Sequence, residues 1–338
     1  MRFLSDKSVE KLRNSAAAPD LSGTRYALVR FLASGGMGAV YVAEDQTLSR
    51  LVALKVLESE SMATGFAERL LRESRVLAQL EHPGIVPVYD AGTLADGRAF
   101  YVMKLVEGAR LDQFIAGTSS LSERLRLFLR ICDAVSFAHT RGVLHRDLKP
   151  SNVMVGAFGE VLVMDWGLAK FLERDSVRAP VPDERAGLGA REAPGLDETG
   201  RSSAVTGDGL VVGTPGYMSP EQAGGASASL DARSDIFSLG KLLGFLANDP
   251  PPGGALQRPR SLGAIGDKAS SENAGDRYAT VRDLAADVSR FLDGEPVSAY
   301  RENLLERALR FYDRYQAAIL LITAYLVMRG LFILFPRP

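Results

Sequence analysis

Short apolar runs, separated by glycine-rich and polar turns, occupy the first hundred residues of the chain. Their length and partial alternation predict a strand meander. After the third run, apolar residues recur at helical spacing in 66–80, and this amphipathic helix is predicted to end before His82-Pro83-Gly84. This part of the chain is therefore predicted as a sheet with one main helix. Its five strands cover 26–32, 39–43, 51–57, 85–89 and 99–105.

Beyond the fifth strand the apolar positions follow a longer, helical period. Residues 121–140 repeat apolar side chains along one face, with Leu121 and Ser122 at the predicted start. A Pro/Gly connector is predicted at 249–260, and 171–209 has no hydrophobic periodicity, which indicates a long loop. Further helices are predicted at 235–246, 281–292 and 303–315.

The composition is that of an ordinary globular protein, with 46% apolar and 24% charged residues. Forty basic and forty-one acidic residues give a formal net charge of −1, which argues against general nucleic-acid binding. The single cysteine, Cys132, excludes an internal disulfide and fits a reducing compartment. The three histidines lack the spacing of a zinc site, and residues 1–20 lack the apolar core of a secretory signal peptide.

Small residues dominate 34–40, which lies between two predicted strands and reads Ser-Gly-Gly-Met-Gly-Ala-Val. Glycines there let backbone N–H groups approach a polyphosphate, although a glycine-rich turn without a ligand would look similar. Farther along, Lys55 lies in an apolar strand, where an ammonium is costly unless it meets an anion. Its candidate partners are Glu73 on the following helix and a phosphate group under the glycine loop.

A second group of polar residues lies at 145–152, where the chain reads His-Arg-Asp-Leu-Lys-Pro-Ser-Asn. Thirteen residues after Asn152 comes Asp165, followed by Trp166 and Gly167. Alone, Asp147 or Asp165 is best interpreted as a capping or solvated aspartate. The ordered set instead supplies oxygen ligands of the type Mg²⁺ requires, together with a base that can accept a hydroxyl proton.

With these motifs, residues 26–292 resemble the protein kinase family, and more narrowly the bacterial Hanks-type serine/threonine kinases. The resemblance extends to His82-Pro83, to 213–221 and to 234–240, all in the expected order. It implies an α+β fold with two lobes, a β-rich N-lobe with one main helix and a mainly α-helical C-lobe. It also implies ATP and Mg²⁺ as cofactors and protein serine or threonine hydroxyls as acceptors.

The resemblance further assigns roles to single residues. Asp147 would be the catalytic base, and Lys149 would neutralise charge on the transferring γ-phosphoryl group and favour serine/threonine acceptors. Lys55 would contact the α and β phosphates and pair with Glu73. The implied Mg²⁺ ligands are Asn152 and Asp165.

The implied nucleotide site combines the glycine loop with the strands and hinge around it. Met103 would lie at the back of the adenine pocket, and Lys104 to Val106 would offer backbone hydrogen bonds to the base. The implied nucleotide contacts are Ser34, Gly35, Gly36, Met37, Gly38, Val40, Ala53, Lys55, Met103, Lys104 and Val106. The implied supporting residues are Arg146, Thr206, Thr214 at the acceptor site, Glu221 paired with Arg277, and Asp235 under the catalytic loop.

Four features depart from the family pattern. Ala33 replaces the first glycine of the loop, and Trp166 replaces a phenylalanine with a larger ring whose N–H needs an acceptor. Lys104 stands in the hinge where an acidic residue is common, with its side chain expected to face water. Only about 40 residues separate Asp235 from Arg277, so a C-lobe helix is expected to be reduced or missing.

The activation segment is long, with 55 residues between Asp165 and Glu221. Arg146 directly precedes Asp147, an arrangement in which arginine can bind a phosphorylated loop residue. Thr206 is the first candidate for that phosphate, and the alternative is that the loop hydroxyls are merely solvated. The remaining candidates are Thr199, Ser202 and Ser203.

An apolar tail of 19 residues, 317–335, is interrupted by one charge, Arg329. At 1.5 Å per residue it would measure about 28 Å, close to the thickness of membrane hydrocarbon. Eleven Leu, Ile, Val and Phe residues are expected to outweigh one arginine, and the arginines preceding the run predict a cytoplasmic kinase domain. The alternative is a helix packed on the kinase lobe or in an oligomer contact.

The resemblance implies a serine/threonine kinase that phosphorylates itself, and the apolar tail predicts that it is anchored in the cell membrane by a single span. Its predicted partners are ATP, protein substrates and the membrane, with a kinase dimer left open and no nucleic acid. The alternative is a nucleotide-binding pseudokinase scaffold that recruits partners at the membrane, as a shortened C-lobe would suggest. The predicted divisions are a flexible leader at 1–22, the N-lobe at 23–107, the C-lobe at 108–294 with the activation segment at 165–221, a juxtamembrane helix at 295–316 and a transmembrane helix at 317–335.

Overall fold

The N-terminal lobe is an antiparallel sheet of five strands in the order β1-β2-β3-β5-β4. A computed structural model describes residues 18–35, 38–57, 79–117, 120–166, 216–224, 230–248 and 259–334. The helix predicted at 66–80 lies mostly outside these ranges. The strands are β1 (Tyr26–Gly35), β2 (Gly38–Asp45), β3 (Arg50–Leu57), β4 (Val88–Thr93) and β5 (Ala99–Lys104).

Two positions in this sheet explain where its strands begin and turn. The fourth strand starts at Val88 rather than at residue 85, because Pro87 has no N–H to donate into a ladder. Ile85 instead forms a single parallel bridge with Val163 of the C-terminal lobe. At the turn after β1, Gly38 has φ +133° and an added Cβ would lie 2.1 Å from the Val56 carbonyl oxygen, so the close approach of β2 and β3 requires glycine.

The C-terminal lobe is mainly helical. Its longest interior helix spans Leu121–Thr140 as predicted, but Ser120 rather than Ser122 caps it, accepting a hydrogen bond from the Glu123 N–H. A helix at Arg260–Ala269 was not predicted from the sequence. The helices are α1 (Leu111–Phe114), α2 (Leu121–Thr140), α3 (Pro220–Ala223), α4 (Ala232–Asn248), α5 (Arg260–Ala269), α6 (Val281–Leu292) and α7 (Leu304–Leu334), and a small sheet holds β6 (Gly108–Arg110), β7 (Val153–Gly156) and β8 (Val161–Val163).

Three buried clusters organise the two lobes. The largest joins α2, α4, α5 and α6 around side chains such as Phe128, and a second lies within the N-lobe sheet around Leu54. The third combines Ala53 and Met103 of the N-lobe with Leu162 of β8. Because this last cluster draws on both lobes, the cleft between them has an apolar floor at the place where β3, β5 and β8 meet.

The segment after α6 is fastened by a buried carboxylate. Asp287, which is fully buried on α6, accepts hydrogen bonds from the Tyr278 hydroxyl at 2.9 Å, the Ser298 hydroxyl at 2.6 Å and the Ala299 N–H at 3.1 Å. Hydrogen bonds to an ionised acceptor are stronger than neutral ones, so this contact fixes the path that leads to α7.

The C-terminal helix corrects two predictions. Leu304–Leu334 is one continuous helix, so the helix predicted at 303–315 continues past residue 315 and the juxtamembrane helix predicted at 295–316 is not a separate element. No proline or glycine interrupts the chain between its polar and apolar halves. In the part of the chain that the structure describes, no helix combines the length and the apolar character required of a membrane span. The transmembrane helix predicted at 317–335 is therefore not supported.

Candidate active site

The loop between α2 and β7 carries the predicted catalytic residues, and a buried aspartate holds its backbone. Asp235 on α4 accepts hydrogen bonds from the N–H groups of His145 at 2.8 Å and Arg146 at 2.7 Å. His139 on α2 lies 2.8 Å from the same carboxylate. Burial alone would raise the pKa of Asp235, but the hydrogen bond with His139 and the neighbouring donors outweigh burial and leave it below its usual value.

Asp147 is held within this loop by two neighbours. The Lys149 ammonium lies 2.9 Å from Asp147 Oδ2, and the Asn152 side-chain amide donates to Oδ2 at 3.1 Å and to the Asp147 backbone carbonyl at 2.8 Å. Arg146, directly before Asp147, has φ +66°, which turns the chain so that the loop can double back. The carboxylate is thereby presented in one orientation, as a general base requires.

Asn152 and Asp165 come together although thirteen residues separate them. The Met164 N–H donates to the Asn152 carbonyl oxygen at 2.8 Å, so the backbone before Asp165 is joined to that of Asn152. Because the Asn152 amide nitrogen is directed to Asp147, its Oδ1 is the atom left to contact a cation. An amide oxygen and a carboxylate are ligands that Mg²⁺ accepts together with substrate phosphates, so this pair fits the implied metal.

Asp165 connects the two lobes. It follows β8 with φ +53°, and its Oδ1 lies 2.7 Å from the Lys55 ammonium of β3 and 3.4 Å from the Tyr101 hydroxyl of β5. Partial desolvation of Asp165 in the cleft would raise its pKa, but the attraction and hydrogen bond of Lys55 outweigh this effect, and the pKa is lowered. Burial lowers the pKa of Lys55, but Tyr101 and Asp165 raise it by more, so the net effect is a raised pKa. Lys55 and Asp165 are therefore both charged near neutral pH.

Trp166, which follows Asp165, is buried under the catalytic loop. Its indole N–H donates to the Val163 carbonyl oxygen at 3.0 Å, so the acceptor that this larger ring needs is a strand carbonyl. Its ring lies 4.8 Å from the His145 ring, and His145 Nε2 lies 2.9 Å from the Met164 carbonyl oxygen. Burial lowers the His145 pKa, which keeps the ring neutral and able to donate through Nε2.

The implied adenine pocket is apolar on several sides. Val40, Ala53, Met103 and Val106 all belong to the cluster that includes Leu162 of the C-lobe. A flat base would fit between such surfaces. Behind Met103 a small cavity extends toward Tyr101, Asp165 and Trp166.

Some of the other predicted nucleotide contacts lie among the described residues, and some do not. Ser34, Gly35 and Gly38 lie at the facing ends of β1 and β2, and the Lys104 side chain is exposed. Gly36, Met37 and the predicted Lys55 partner Glu73 lie outside the described residues, as do the activation-segment residues Thr206 and Thr214.

The end of the activation segment is fastened to the C-lobe. Arg277 donates to both oxygens of Glu221, at 2.7 and 2.9 Å, and the Ser234 hydroxyl donates to Oε1 at 2.8 Å. Burial would raise the pKa of Glu221, but these donors lower it to about 2. Gln222, beside it, donates to the Arg146 carbonyl oxygen at 2.8 Å and so connects this segment to the catalytic loop.

Sequence reasoning missed three of these side chains: Tyr101, His139 and Gln222. Each contacts a partner that is distant in the chain: Gln222 contacts Arg146 across 76 residues, and His139 contacts Asp235 across 96. The only sequence signal was that Lys55 needs an anionic or polar partner, and pairing of β3 with β5 supplies Tyr101 directly opposite Lys55.

A sheet-based lobe over a helical lobe, with Lys55, Asp147, Asn152 and Asp165 converging on the cleft, defines a protein kinase. A family model described as the protein kinase domain matches residues 26–268, and the chain belongs to that family. Curated relatives are serine/threonine-protein kinases PknD: the one from Protochlamydia amoebophila is 32% identical over 83% of this chain, and the one from Chlamydia trachomatis serovar D is 33% identical over 86%.

The matches also show how much of each relative is shared. The chain covers 31% and 34% of the two PknD proteins, so it spans about a third of their length. Among solved structures, the PknI kinase domain of Mycobacterium tuberculosis matches with a TM-score of 0.56 and 26% identity, covering 80% of this chain and 96% of that domain. The shared part is therefore the catalytic domain.

Proposed function

We propose that this chain transfers the γ-phosphoryl group of ATP to serine or threonine hydroxyls of proteins, its own activation segment included. The observation that carries the proposal is the joining of Asp147, Lys149 and Asn152 in one hydrogen-bonded group whose backbone is connected to that of Asp165. Phosphoryl transfer depends mainly on positioning the reacting groups and on stabilising the charge of the transferring phosphoryl group, and these residues supply both.

Each residue has a part that its contacts support. Asp147, oriented by Asn152, would accept the proton of the attacking hydroxyl, and Lys149 beside it would face the transferring group. Lys55 and Asp165 would hold the phosphates and Mg²⁺. When bound, Mg²⁺ neutralises charge that develops on the phosphate oxygens.

The central experiment compares Asp147→Asn and Lys55→Met with the wild-type chain in ATP- and Mg²⁺-dependent phosphorylation of itself and of a basic protein. Both variants are expected to lose transfer, because one removes the base and the other the phosphate anchor. Asp96→Asn is a matched control, since Asp96 is an exposed aspartate paired with Arg98 in the turn between β4 and β5. A wild-type chain that binds nucleotide but transfers no phosphate would overturn the proposal and favour the pseudokinase scaffold.

We also propose that a loop phosphate regulates the enzyme. The support is the position of Arg146, directly before Asp147 and connected to Gln222 through its carbonyl oxygen. Thr206 is the expected site, with Thr199, Ser202 and Ser203 as further candidates. Mass spectrometry of the purified protein tests this, and full activity of the variant with all four changed to alanine would contradict it.

The cellular location is likewise a proposal: the kinase lies at the cytoplasmic face of the cell membrane, attached through α7. It is supported by the exposed apolar side chains between Leu320 and Met328 and by the arginines that precede them in the sequence. Protein with the whole of α7 is expected to sediment with membranes, whereas a chain truncated after Tyr315 is expected to remain in solution. A full-length protein that is monodisperse without detergent contradicts the proposal.

A further inference from the structure

Tyr101 occupies a position in β5 where its side chain must share a face with Lys55. The two residues are register partners in the antiparallel β3–β5 ladder, and directly opposite side chains on one face lie close together. Tyr101 is only 3% exposed, and the Lys55 ammonium lies 5.8 Å from the centre of its ring. The ring is therefore fixed by the sheet beside the lysine.

The hydroxyl of this buried ring reaches across to the C-lobe. Tyr101 Oη donates to Asp165 Oδ1 at 3.4 Å, and Lys55 donates to the same oxygen at 2.7 Å. A buried phenol is costly when its hydroxyl lacks an acceptor, and Tyr101 lies in a buried strand beside the apolar side chain of Val102. Asp165 is the acceptor that makes a tyrosine acceptable here.

Lys55 has two tasks in the proposed reaction, because it must hold the nucleotide phosphates and it also binds Asp165. When the ammonium turns to the phosphates, its hold on Asp165 Oδ1 weakens. The Tyr101 hydroxyl does not turn away, since its ring is packed in the cleft cluster. Asp165 then keeps one donor on Oδ1 and has Oδ2 for a cation.

We propose that Tyr101 is a positioning residue, which holds Asp165 in its metal-binding orientation while Lys55 engages the nucleotide. This inference rests on the proposed function of the cleft as an ATP and Mg²⁺ site. It concerns a hydroxyl in a strand of the N-lobe that reaches the site through Asp165.

The test is Tyr101→Phe, which removes one oxygen and keeps the ring. Calorimetry would measure the affinity for ADP with Mg²⁺ and with EDTA, and Trp166, the only tryptophan of the chain and adjacent to Asp165, offers a fluorescence signal for the same titration. The Mg²⁺-dependent affinity is expected to fall about threefold to tenfold, as for loss of one ordinary hydrogen bond, because the Tyr101–Asp165 contact is long at 3.4 Å. The affinity in EDTA is expected to stay constant. Phosphoryl transfer should recover at saturating Mg²⁺.

Tyr26→Phe is the matched control. Tyr26 is a tyrosine of the same sheet, 4% exposed, whose hydroxyl donates to Asp90 at 2.7 Å away from the cleft. Tyr26→Phe is expected to lower the unfolding midpoint without changing the Mg²⁺ dependence of ADP affinity. If Tyr101→Phe shows the same result as Tyr26→Phe, the role of Tyr101 is only structural and the inference is overturned. Unchanged Mg²⁺-dependent affinity in Tyr101→Phe also overturns it.

A second variant covers the case in which Tyr101→Phe does not fold. Tyr101→Met replaces the phenol with an unbranched apolar side chain that has no hydroxyl. It must show the same loss of Mg²⁺-dependent ADP affinity. A wild-type chain that binds ADP equally with Mg²⁺ and with EDTA refutes the metal site itself, and so the proposed function, rather than the role of Tyr101.

Discussion

Two aspartates of the active site are held in opposite ways. Asp147 belongs to a loop whose backbone is bound to Asp235, a carboxylate fully inside the C-lobe. Asp165 is held by Lys55 and Tyr101, which belong to the other lobe, and its side chain is 37% exposed. The base is therefore positioned by folding of one lobe, whereas the metal ligand depends on how the two lobes meet.

The difference has a functional meaning. A base anchored inside one lobe keeps its orientation when the cleft opens. A ligand anchored across the cleft would lose these donors if the lobes separated, so the orientation of Asp165 depends on the arrangement of the two lobes. The comparison can be tested by weakening each anchor in turn.

The largest effect is expected from Asp235→Ala, which breaks the anchor inside the C-lobe. It leaves the N–H groups of His145 and Arg146 without their acceptor in a buried place. The free energy of unfolding should fall by at least about 3 kcal/mol, and phosphoryl transfer should fall with it. Chemical denaturation and a kinase assay measure the two. A variant of normal stability would show that the loop does not depend on this anchor.

A smaller effect is expected from acid, through the ion pair of Glu221 and Arg277 that fastens the activation segment to the same lobe. The pKa of Glu221 is about 2 in the folded protein and 4.5 ordinarily, so the pair stabilises fully above about pH 5. Its contribution, at most about 3 kcal/mol, is lost as the pH falls from 4.5 toward 2.

Comparison with Glu221→Gln isolates this pair from the other titrating groups. The difference in unfolding free energy between wild type and variant should be large at pH 7 and should shrink at pH 3. A difference that stays constant with pH would mean that the carboxylate charge does not stabilise the fold.

The smallest effect on stability is expected from Lys55→Met, which breaks the anchor across the cleft. Asp165 is exposed enough to be solvated when it loses the ammonium, so the free energy of unfolding should change by less than about 1 kcal/mol. Nucleotide binding and transfer should nevertheless be lost. A large loss of stability would show that the lobes are held together by this pair, contrary to the comparison.

Much of the site follows from short stretches of sequence. The order of Lys55, Asp147, Asn152 and Asp165 could be recognised in the sequence because phosphoryl transfer needs these residue types. The single loop at 145–152 carries three of the side chains in the site, Asp147, Lys149 and Asn152. The five strands of the N-lobe and α2 were predictable because their apolar periods are local, whereas the three short strands β6, β7 and β8 were not predicted. Helix α5 was missed although Leu262, Ile265 and Ala269 stand at helical spacing, because its ten residues include two glycines and directly follow a Pro/Gly-rich stretch.

What only the tertiary structure decided are the contacts made across long separations. Tyr101 contacts Asp165 across 64 residues, and Asp235 contacts Arg146 across 89. The first contact depends on a strand register and the second on helix packing, and neither can be predicted from the local sequence. The amino-acid pattern determines which groups carry the chemistry, because each must have the right donor, acceptor or charge. Their orientation is decided by burial and by the meeting of two lobes, because only a packed interior makes a single arrangement of polar groups favourable.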